Sequence, residues 1–480
     1  MNYETVIGLE VHLQLNTVTK VFCGCSTKFG QKPNSQTCPV CLGLPGSLPV
    51  LNETAFLFGI KVALALNCGI QSLIKFDRKN YYYPDLPKNY QISQYDMPLA
   101  YNGFVDIPAN LTGLPKRIRI LRVHLEEDAG KLIHSEREGH SLVDLNRTGI
   151  PLLEIVTEPD MNSPQEAYDY LTRLKSILEY LKVSDCDMEK GSLRCDANIS
   201  IRPSGESKLG TKIELKNMNT FKGVKSSLEY EVKRQATVID GGEKLFQETR
   251  LWDADKMITL SMRSKEEATD YRYFPEPDLV PFSVDKAFIE KIRQRLPELP
   301  EAKIRRFMKD YGLSEYDSNV LAGQSEIAEY FERCAQVYEN RKAIANWITG
   351  DIMAYLKTQS ASPADLGVSP ESLAALLKMI DKGAISGKMA KEILSEAIET
   401  KMAPEKIIAD KGLSQISDSG KLEEIVMQVI SKNEKSVKDY RSGKKNALGY
   451  LVGQIMKETK GAANPEIVNR ILEKALEARQ

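Results

Sequence analysis

Carboxylates recur at alternate positions in several extended runs of this chain, and the first run sets the pattern. From Val6 to Leu15, Ile7, Leu9, Val11, Leu13 and Leu15 alternate with Glu10, His12 and Gln14. Successive side chains of a strand point to opposite faces. One face therefore belongs to a core, and the other carries a carboxylate and an imidazole close enough to share one ligand. A solvent-facing edge would give the same spacing, but the pattern returns. In Leu193–Ile201, Leu193, Cys195, Ala197, Ile199 and Ile201 alternate with Arg194, Asp196, Asn198 and Ser200; Lys212, Glu214 and Lys216 share one side of a third run. Strand-like Arg117–Leu125 leads into Glu126-Glu127-Asp128, and Glu154 punctuates an apolar run. Adjacent acids repel unless water or a cation lies among them. One such strand is a solvated face. Several together read as the floor of a cleft for a divalent cation and phosphates, since hard oxygens suit magnesium and Arg or Lys suits phosphate. Glu126 and Glu127 point opposite ways in a regular strand, so both line the cleft only if the strand bulges or ends there.

A second chemistry is soft. Cys23-Gly24-Cys25 is followed after twelve residues by Cys38-Pro39-Val40-Cys41. Two close thiolate pairs on short turns make a closed tetrahedral site, which predicts structural zinc. Cys68, Cys186, Cys195 and Cys334 are scattered and fit a core. Tyr81 to Gln91 holds Tyr81, Tyr82, Tyr83, Lys88 and Tyr90 around two prolines. It could line a pocket for a stacked ring or an anionic tail, or be a loop packed by its own rings. Glu248–Asp253 and Asp270–Asp278 are extended and aromatic, with arginines where an anion could lie. Near the end Lys432, Lys435, Lys438, Arg441, Lys444 and Lys445 cluster beside glycines. Such a run is usually a solvated face, or it grips an RNA backbone. There is no Gly-x-Ser-x-Gly elbow and no dinucleotide-binding glycine fingerprint. Gly383–Met389 has one residue too few between its glycines for a phosphate loop, and Met where Ser or Thr belongs.

The elements that must position these groups follow from pattern. The chain has 480 residues and net charge −1, too long for one core and with no global bias toward nucleic acid. No run resembles a signal peptide and no stretch is apolar enough to span a membrane, so a reducing cytoplasm is expected. Asn52 caps a helix to Leu66. Ser163-Pro164-Gln165-Glu166 opens another, running to about residue 182. Ser226–Ala236 is helical. Composition shifts near residue 285 to almost continuous helix, and again near Ala403-Pro404. The fold class expected is α+β: a mixed, mainly antiparallel sheet forming a cradle over 1–292, an all-α domain over 293–403, and a small helical tail over 404–480.

Together these segments resemble the B subunit of the bacterial tRNA-dependent amidotransferase, nearly end to end. The most specific pieces are Ile7–His12, Cys38–Gly43, Tyr82–Lys88, Leu125–Lys131, Arg194–Asn198 and Gly443–Gly449. The archaeal relative carries an inserted domain for which this chain has no room. The resemblance implies a heterotrimer. An amidase partner releases ammonia from glutamine, a small third partner braces the pair, and this chain supplies a kinase-like cradle and a tail that meets tRNA. There ATP and Mg2+ would convert the side-chain carboxylate of Glu-tRNA(Gln) or Asp-tRNA(Asn) to an acyl phosphate that ammonia attacks. The implied catalytic positions are Glu10, His12, Glu126, Glu127, Glu154, Asp196 and Glu214, with Glu10, His12, Glu127, Asp196 and Glu214 as magnesium ligands or orienters of its water. Lys88 and Arg194 are implied for phosphate, Cys23, Cys25, Cys38 and Cys41 for zinc, and Lys438, Arg441, Lys444 and Lys445 for tRNA. Two other readings compete: a non-catalytic tRNA-binding scaffold whose acids are merely solvated, and a stand-alone ligase using free ammonia on a small acid.

Overall fold

A computed structural model describes residues 2–108, 115–134, 139–264, 271–359, 363–411, 419–442, 444, 446–459, 463 and 465–477. Of the residues named above, Asp270, Gly443 and Lys445 lie outside the described residues, as does the side chain of Arg441. The chain forms two units, residues 1–300 and 301–480.

The first unit is a sheet backed by helices, as an α+β reading requires. Its strands are β1 (Tyr3–Gln14), β2 (Gly69–Ile70), β3 (Leu73–Ile74), β4 (Asp77–Asn80), β5 (Tyr90–Ser93), β6 (Ala100–Ile107), β7 (Lys116–Glu127) and β8 (Lys131–His134). There follow β9 (Ser141–Asp144), β10 (Pro151–Thr157), β11 (Leu193–Pro203), β12 (Ile213–Lys216), β13 (Glu248–Asp253), β14 (Ile258–Ser264), β15 (Arg272–Pro275) and β16 (Phe282–Ser283). Nine of them make one sheet in the order β14-β13-β12-β11-β1-β10-β7-β6-β2, so the first strand of the chain is its middle strand. Pairing is antiparallel except between β12 and β13, which run parallel. A small sheet, β15-β4-β5, joins two segments almost two hundred residues apart.

The pleat of β1 sets the layers. Ile7, Leu9, Val11 and Leu13 are buried in one core with helices α1 (Glu53–Ala65), α2 (Pro164–Leu181) and α3 (Phe221–Asp240). Local sequence explains where these helices start. The Asn52 side chain accepts from the Ala55 amide, and Ser163 accepts from the Glu166 amide with Pro164 in the first turn. The helix read from Ser226 starts earlier, because Thr220 caps it by accepting from the Gly223 amide. Cys68, Cys186 and Cys195 are buried. A last short helix, α4 (Lys286–Arg293), closes the unit.

The described part of the second unit is helical: α5 (Pro300–Tyr311), α6 (Glu315–Ala322), α7 (Ser325–Val337), α8 (Arg341–Trp347), a π-helical turn, α9 (Met353–Gln359), α10 (Pro370–Asp381), α11 (Gly387–Thr400) and α12 (Pro404–Lys411). The helix opened by Pro404 packs on α10 and α11. The run Gly383–Met389, too short for a phosphate loop, is a helix start, where Ser386 accepts from the Met389 amide. Helices α13 (Ser419–Lys432), α14 (Glu434–Arg441), α15 (Asn446–Glu458) and α16 (Pro465–Glu477) enclose a small core of Leu422, Val426, Leu451, Ile455, Val468 and Leu472. No helix among the described residues is long and apolar enough to cross a membrane.

Leu9 is 1% exposed in the middle strand. Truncating it leaves a cavity that strands paired on both sides cannot close, so Leu9→Ala should destabilise the first unit by about 3 kcal/mol. Chemical denaturation followed by tyrosine fluorescence would register the lowered midpoint.

Candidate active site

The register of β1 decides which polar residues meet. Glu10 lies opposite Asp196 of β11, and His12 lies opposite Arg194 on that side and Glu154 of β10 on the other. Glu154 in turn faces His124 of β7, and Asn198 faces Glu214 of β12. All therefore share the face turned away from the helices. Two groups are close enough to surround a cation, Glu10, His12 and Asp196 on one side and His12, Glu126 and Glu154 on the other. His12 belongs to both. Its Nε2 is 3.6 Å from Glu10 Oε1 and 3.5 Å from Glu154 Oε2. His124 Nε2 is 3.2 Å from Glu154 and 3.5 Å from Glu126.

The electrostatics are those of a face with more negative charge than its surroundings solvate. Burial raises the Glu10 carboxyl above its ordinary value, and Glu154 adds to this by repulsion. Burial opposes charge on His124, but Glu154 and Glu126 outweigh it and lift the imidazole to about 9. His12 is raised too, with its link to Glu154 overcoming desolvation. Glu154 shows the reverse balance: burial opposes its ionisation, yet the two imidazoles hold it far below the carboxylate range. Glu126 is lowered likewise by His124 against its own desolvation, and accepts from Ser93 Oγ at 2.9 Å.

Two expected residues stand apart from the acid face and two lie at its margin. Glu127 points to the opposite side from Glu126, as strand geometry demands, since β7 runs regularly to its end. There it pairs with the Lys88 ammonium and accepts from the Ile92 amide at 2.8 Å. Neither Glu127 nor Lys88 is brought to the acid face; both line a cavity of about 200 Å3 beside Cys41. Gly43 is part of the same wall, because a Cβ there would collide with Lys88 Cγ. Glu214 shares the acid face but sits one strand farther out, accepting from Thr249 Oγ1 at 2.7 Å. Lys216, 2.6 Å from Asp196 and 3.4 Å from Glu214, stands between the two acids. Arg194 is held 3.0 Å from Asp128. Beyond it a cavity of about 730 Å3 opens at the Gln14 end of β1, with Lys131, Arg147 and Lys190 among its walls.

Sequence alone does not single out His124, Lys216, Arg122 and Asp128 as site residues. For three of them a signal is there. Arg122, His124 and Glu126 alternate as cleanly as Glu10, His12 and Gln14, and Lys216 follows Glu214 at the same spacing. Arg122 lies 3.6 Å from Glu154.

The cysteines form a separate centre. The sulfurs of Cys23, Cys25, Cys38 and Cys41 all lie within 4.8 Å of one another, and none is in a disulfide. Four sulfurs at about 2.3 Å from a central ion would be under 4 Å apart, so the cluster fits a structural metal. The Cys38 amide donates to Cys41 Sγ at 3.1 Å, and Lys20 Nζ is 3.8 Å from the same sulfur. A hydrogen bond from Cys23, helped by these neighbours, holds the Cys41 thiol well below its ordinary value. In the C-terminal helices Lys438 is exposed in α14 and Lys444 pairs with Asp439 at 3.0 Å.

Comparison with known families places this geometry. Residues 5–290 match the model of the GatB/GatE catalytic domain, and residues 329–476 match a GatB domain. The chain belongs to the GatB family. It is 55% identical over 473 residues to the B subunit of the aspartyl/glutamyl-tRNA(Asn/Gln) amidotransferase of Carboxydothermus hydrogenoformans, covering 98% of each chain. It is 53% identical over 478 residues to the protein of the same name from Moorella thermoacetica, covering 99% of this chain and all of that one. The corresponding Brevibacillus brevis protein is 52% identical over 474 residues, 99% of each. The GatB/GatE domain match spans every acid of the cation face and all four clustered cysteines.

Two outcomes follow from the geometry. Elemental analysis of purified protein should find about one tightly held metal per chain, lost in Cys41→Ser with a lower melting temperature. For His124, the raised value sets the sign. The stability it contributes through Glu154 and Glu126 is complete below the free imidazole value of about 6.5 and is lost as pH rises through about 9. The denaturation midpoints of the native chain and His124→Gln should thus differ most near pH 6 and converge near pH 10.

Proposed function

We propose that this chain is the B subunit of a tRNA-dependent amidotransferase, and that the acid face of its first unit activates the side-chain carboxylate of Glu-tRNA(Gln) or Asp-tRNA(Asn) for amidation. The observation that carries the reading is the meeting of Glu10, His12 and Asp196 with Glu126 and Glu154 around one imidazole, on strands brought together from across the chain. Family membership supports the reaction class.

The donor set fits magnesium: hard carboxylate oxygens on both sides of His12, mutually repelling when no cation lies among them. ATP with Mg2+ would supply the phosphoryl group that makes the carboxylate an acyl phosphate, from which ammonia displaces phosphate. The chain's own residues then have to place charges and reactants. Glu10, Asp196, Glu126 and Glu154 hold the cation position. His12 orients it from the centre, and Lys216 fixes Asp196. Arg194, with Arg147, Lys131 and Lys190 around the larger cavity, offers the nucleotide room and positive charge. Glu214 remains on the same face as an outer acid. Glu127 and Lys88, tied to each other behind it, are in this reading wall residues rather than ligands.

The cysteine centre takes Zn2+, since four thiolates suit a soft, closed tetrahedral site. Residues 1–292 carry the chemistry, 293–403 form a helical domain, and 404–480 meet the tRNA through Lys438, Arg441, Lys444 and Lys445. The chain lacks a nucleophile elbow for releasing ammonia, which supports a separate amidase as partner. With a small third partner the two complete a heterotrimer that works in the cytoplasm, where tRNA is charged.

Glu10→Gln and Asp196→Asn in the assembled complex test this. Amide formation on acylated tRNA should drop by on the order of 100-fold, with ATP cleavage falling in parallel and tRNA affinity in filter binding unchanged. Normal amidation by these variants would instead make the chain a scaffold.

A further inference from the structure

The two tyrosine-rich segments come together in the small sheet. Tyr273 of β15 pairs with Lys79 of β4, and Gln91 of β5 pairs with Lys79 from the other side. Tyr95 stacks on Tyr273 with centroids 4.1 Å apart, and Tyr81 meets Tyr271 edge-on at 5.2 Å. The Lys79 ammonium lies 4.8 Å from the Tyr271 ring and 5.9 Å from Tyr81. Its charge is felt at the acid face: burial opposes it, but Glu126 and Glu154 raise its value. Among the described residues it nevertheless has no carboxylate within ion-pair distance and no hydrogen bond. Buried aromatic clusters need no explanation, but this one is open. Tyr95 is 61% exposed and Tyr271 48%. Two residues before Tyr95, Ser93 donates to Glu126 of the acid cluster. The ledge adjoins the cation face: burial raises the Tyr273 hydroxyl, and the charges of Glu126 and Glu154 hold it up further, as they hold up Lys79.

Open rings around an unpaired ammonium ask for an occupant with a flat π face and a negative charge. A nucleotide at the end of an RNA has both, since bases stack on tyrosine whatever their sequence and Lys takes the adjoining anion. Its acyl group would then hang toward the acids that are to act on it. We propose that the ledge of Tyr95, Tyr273, Tyr271 and Tyr81, with Lys79 at its centre, seats the acylated 3′-terminal nucleotide of the tRNA. The base lies on the exposed rings and Lys79 meets the carboxylate of the acyl group. This rests on the activation reading above.

The test uses the complete heterotrimer and acylated tRNA whose terminal adenosine is replaced by 2-aminopurine. Stacking quenches that fluorophore. Binding to the native complex should quench it, and Tyr95→Leu with Tyr271→Leu should abolish the quench and raise KM for acylated tRNA about tenfold or more, with KM for ATP unchanged. Tyr95→Phe and Tyr271→Phe keep the π face and should retain both properties. Lys79→Gln should keep the quench but lower kcat. Unchanged quench and KM in the leucine variants would overturn the proposal. So would a raised KM for ATP alone, which makes the ledge an ATP adenine site, or loss of heterotrimer on gel filtration, which makes it a contact within the assembly. A native complex that forms no amide at all would defeat the activation reading itself, whereas an active native complex with indifferent ledge variants defeats only the ledge.

Discussion

A strand paired on both sides cannot choose its neighbours residue by residue. Once β1 is locked between β10 and β11, Glu10 must face Asp196 and His12 must stand between Glu154 and Arg194. A slip of one residue in either pairing would turn Glu10 and His12 into the helix-covered core and bring Leu9 and Val11 to the acids. The slip is forbidden by the apolar side of the same strand, where Ile7, Leu9, Val11 and Leu13 are buried against the helices. The core thus specifies the site. The hydrophobic face fixes the register, and the register fixes which carboxylates meet.

The meeting is unfavourable by itself. An ion removed from water without a partner costs several kcal/mol even after the protein relaxes, and Glu126 and Glu154 are both buried. The chain offsets this with imidazoles shared among the acids and with cations at the margin, Arg122 beside Glu154 and Lys216 beside Asp196, while Lys79 acts on Glu126 and Glu154 from beyond ion-pair distance. The compensation is incomplete at Glu10, whose carboxyl is raised by burial and by Glu154. That residual imbalance is what a divalent cation would relieve, so stability and ligand binding draw on the same charges.

How much of this is legible in the sequence follows from the same physics. Periodicity shows which side chains share a face of one strand, so β1, β11 and β12 and their acids can be read directly. So can the Ser163 and Asn52 caps, because a cap is a contact within one turn. The cysteine centre is legible because its pairs are close in sequence and its chemistry allows few other uses. Partners across the sheet are not legible, since register is decided by burial over the whole strand. Hence His124 reads as an ordinary strand residue in sequence, and Glu127 as a ligand. The adjacency of Glu126 and Glu127 in sequence suggests a shared task, while the pleat sends them to opposite sides. The helix between β12 and β13 is legible, but not which strand its crossover returns to, and the union of β4 with β15 spans almost two hundred residues whose own periodicity says nothing of where the ends meet.

The parting of Glu126 from Glu127 gives the strand end its mechanical meaning. Strand β5 grips both: the Ile92 amide and Gln91 side chain bind Glu127, at 2.8 Å on its carboxylate and 2.5 Å on its carbonyl, while Ser93 binds the Glu126 carboxylate. Behind, Glu127 is tied to Lys88, which fills the space that Gly43 leaves beside the cysteines. In front, the chain continues past Ser93 to Tyr95 and the ring ledge. A folded cysteine centre therefore sets Lys88, Lys88 and Ile92 set Glu127, and the backbone of β7 carries that position to Glu126 without an intervening mobile side chain. A metal held by those thiolates would thus bear on the geometry of a carboxylate site it never touches.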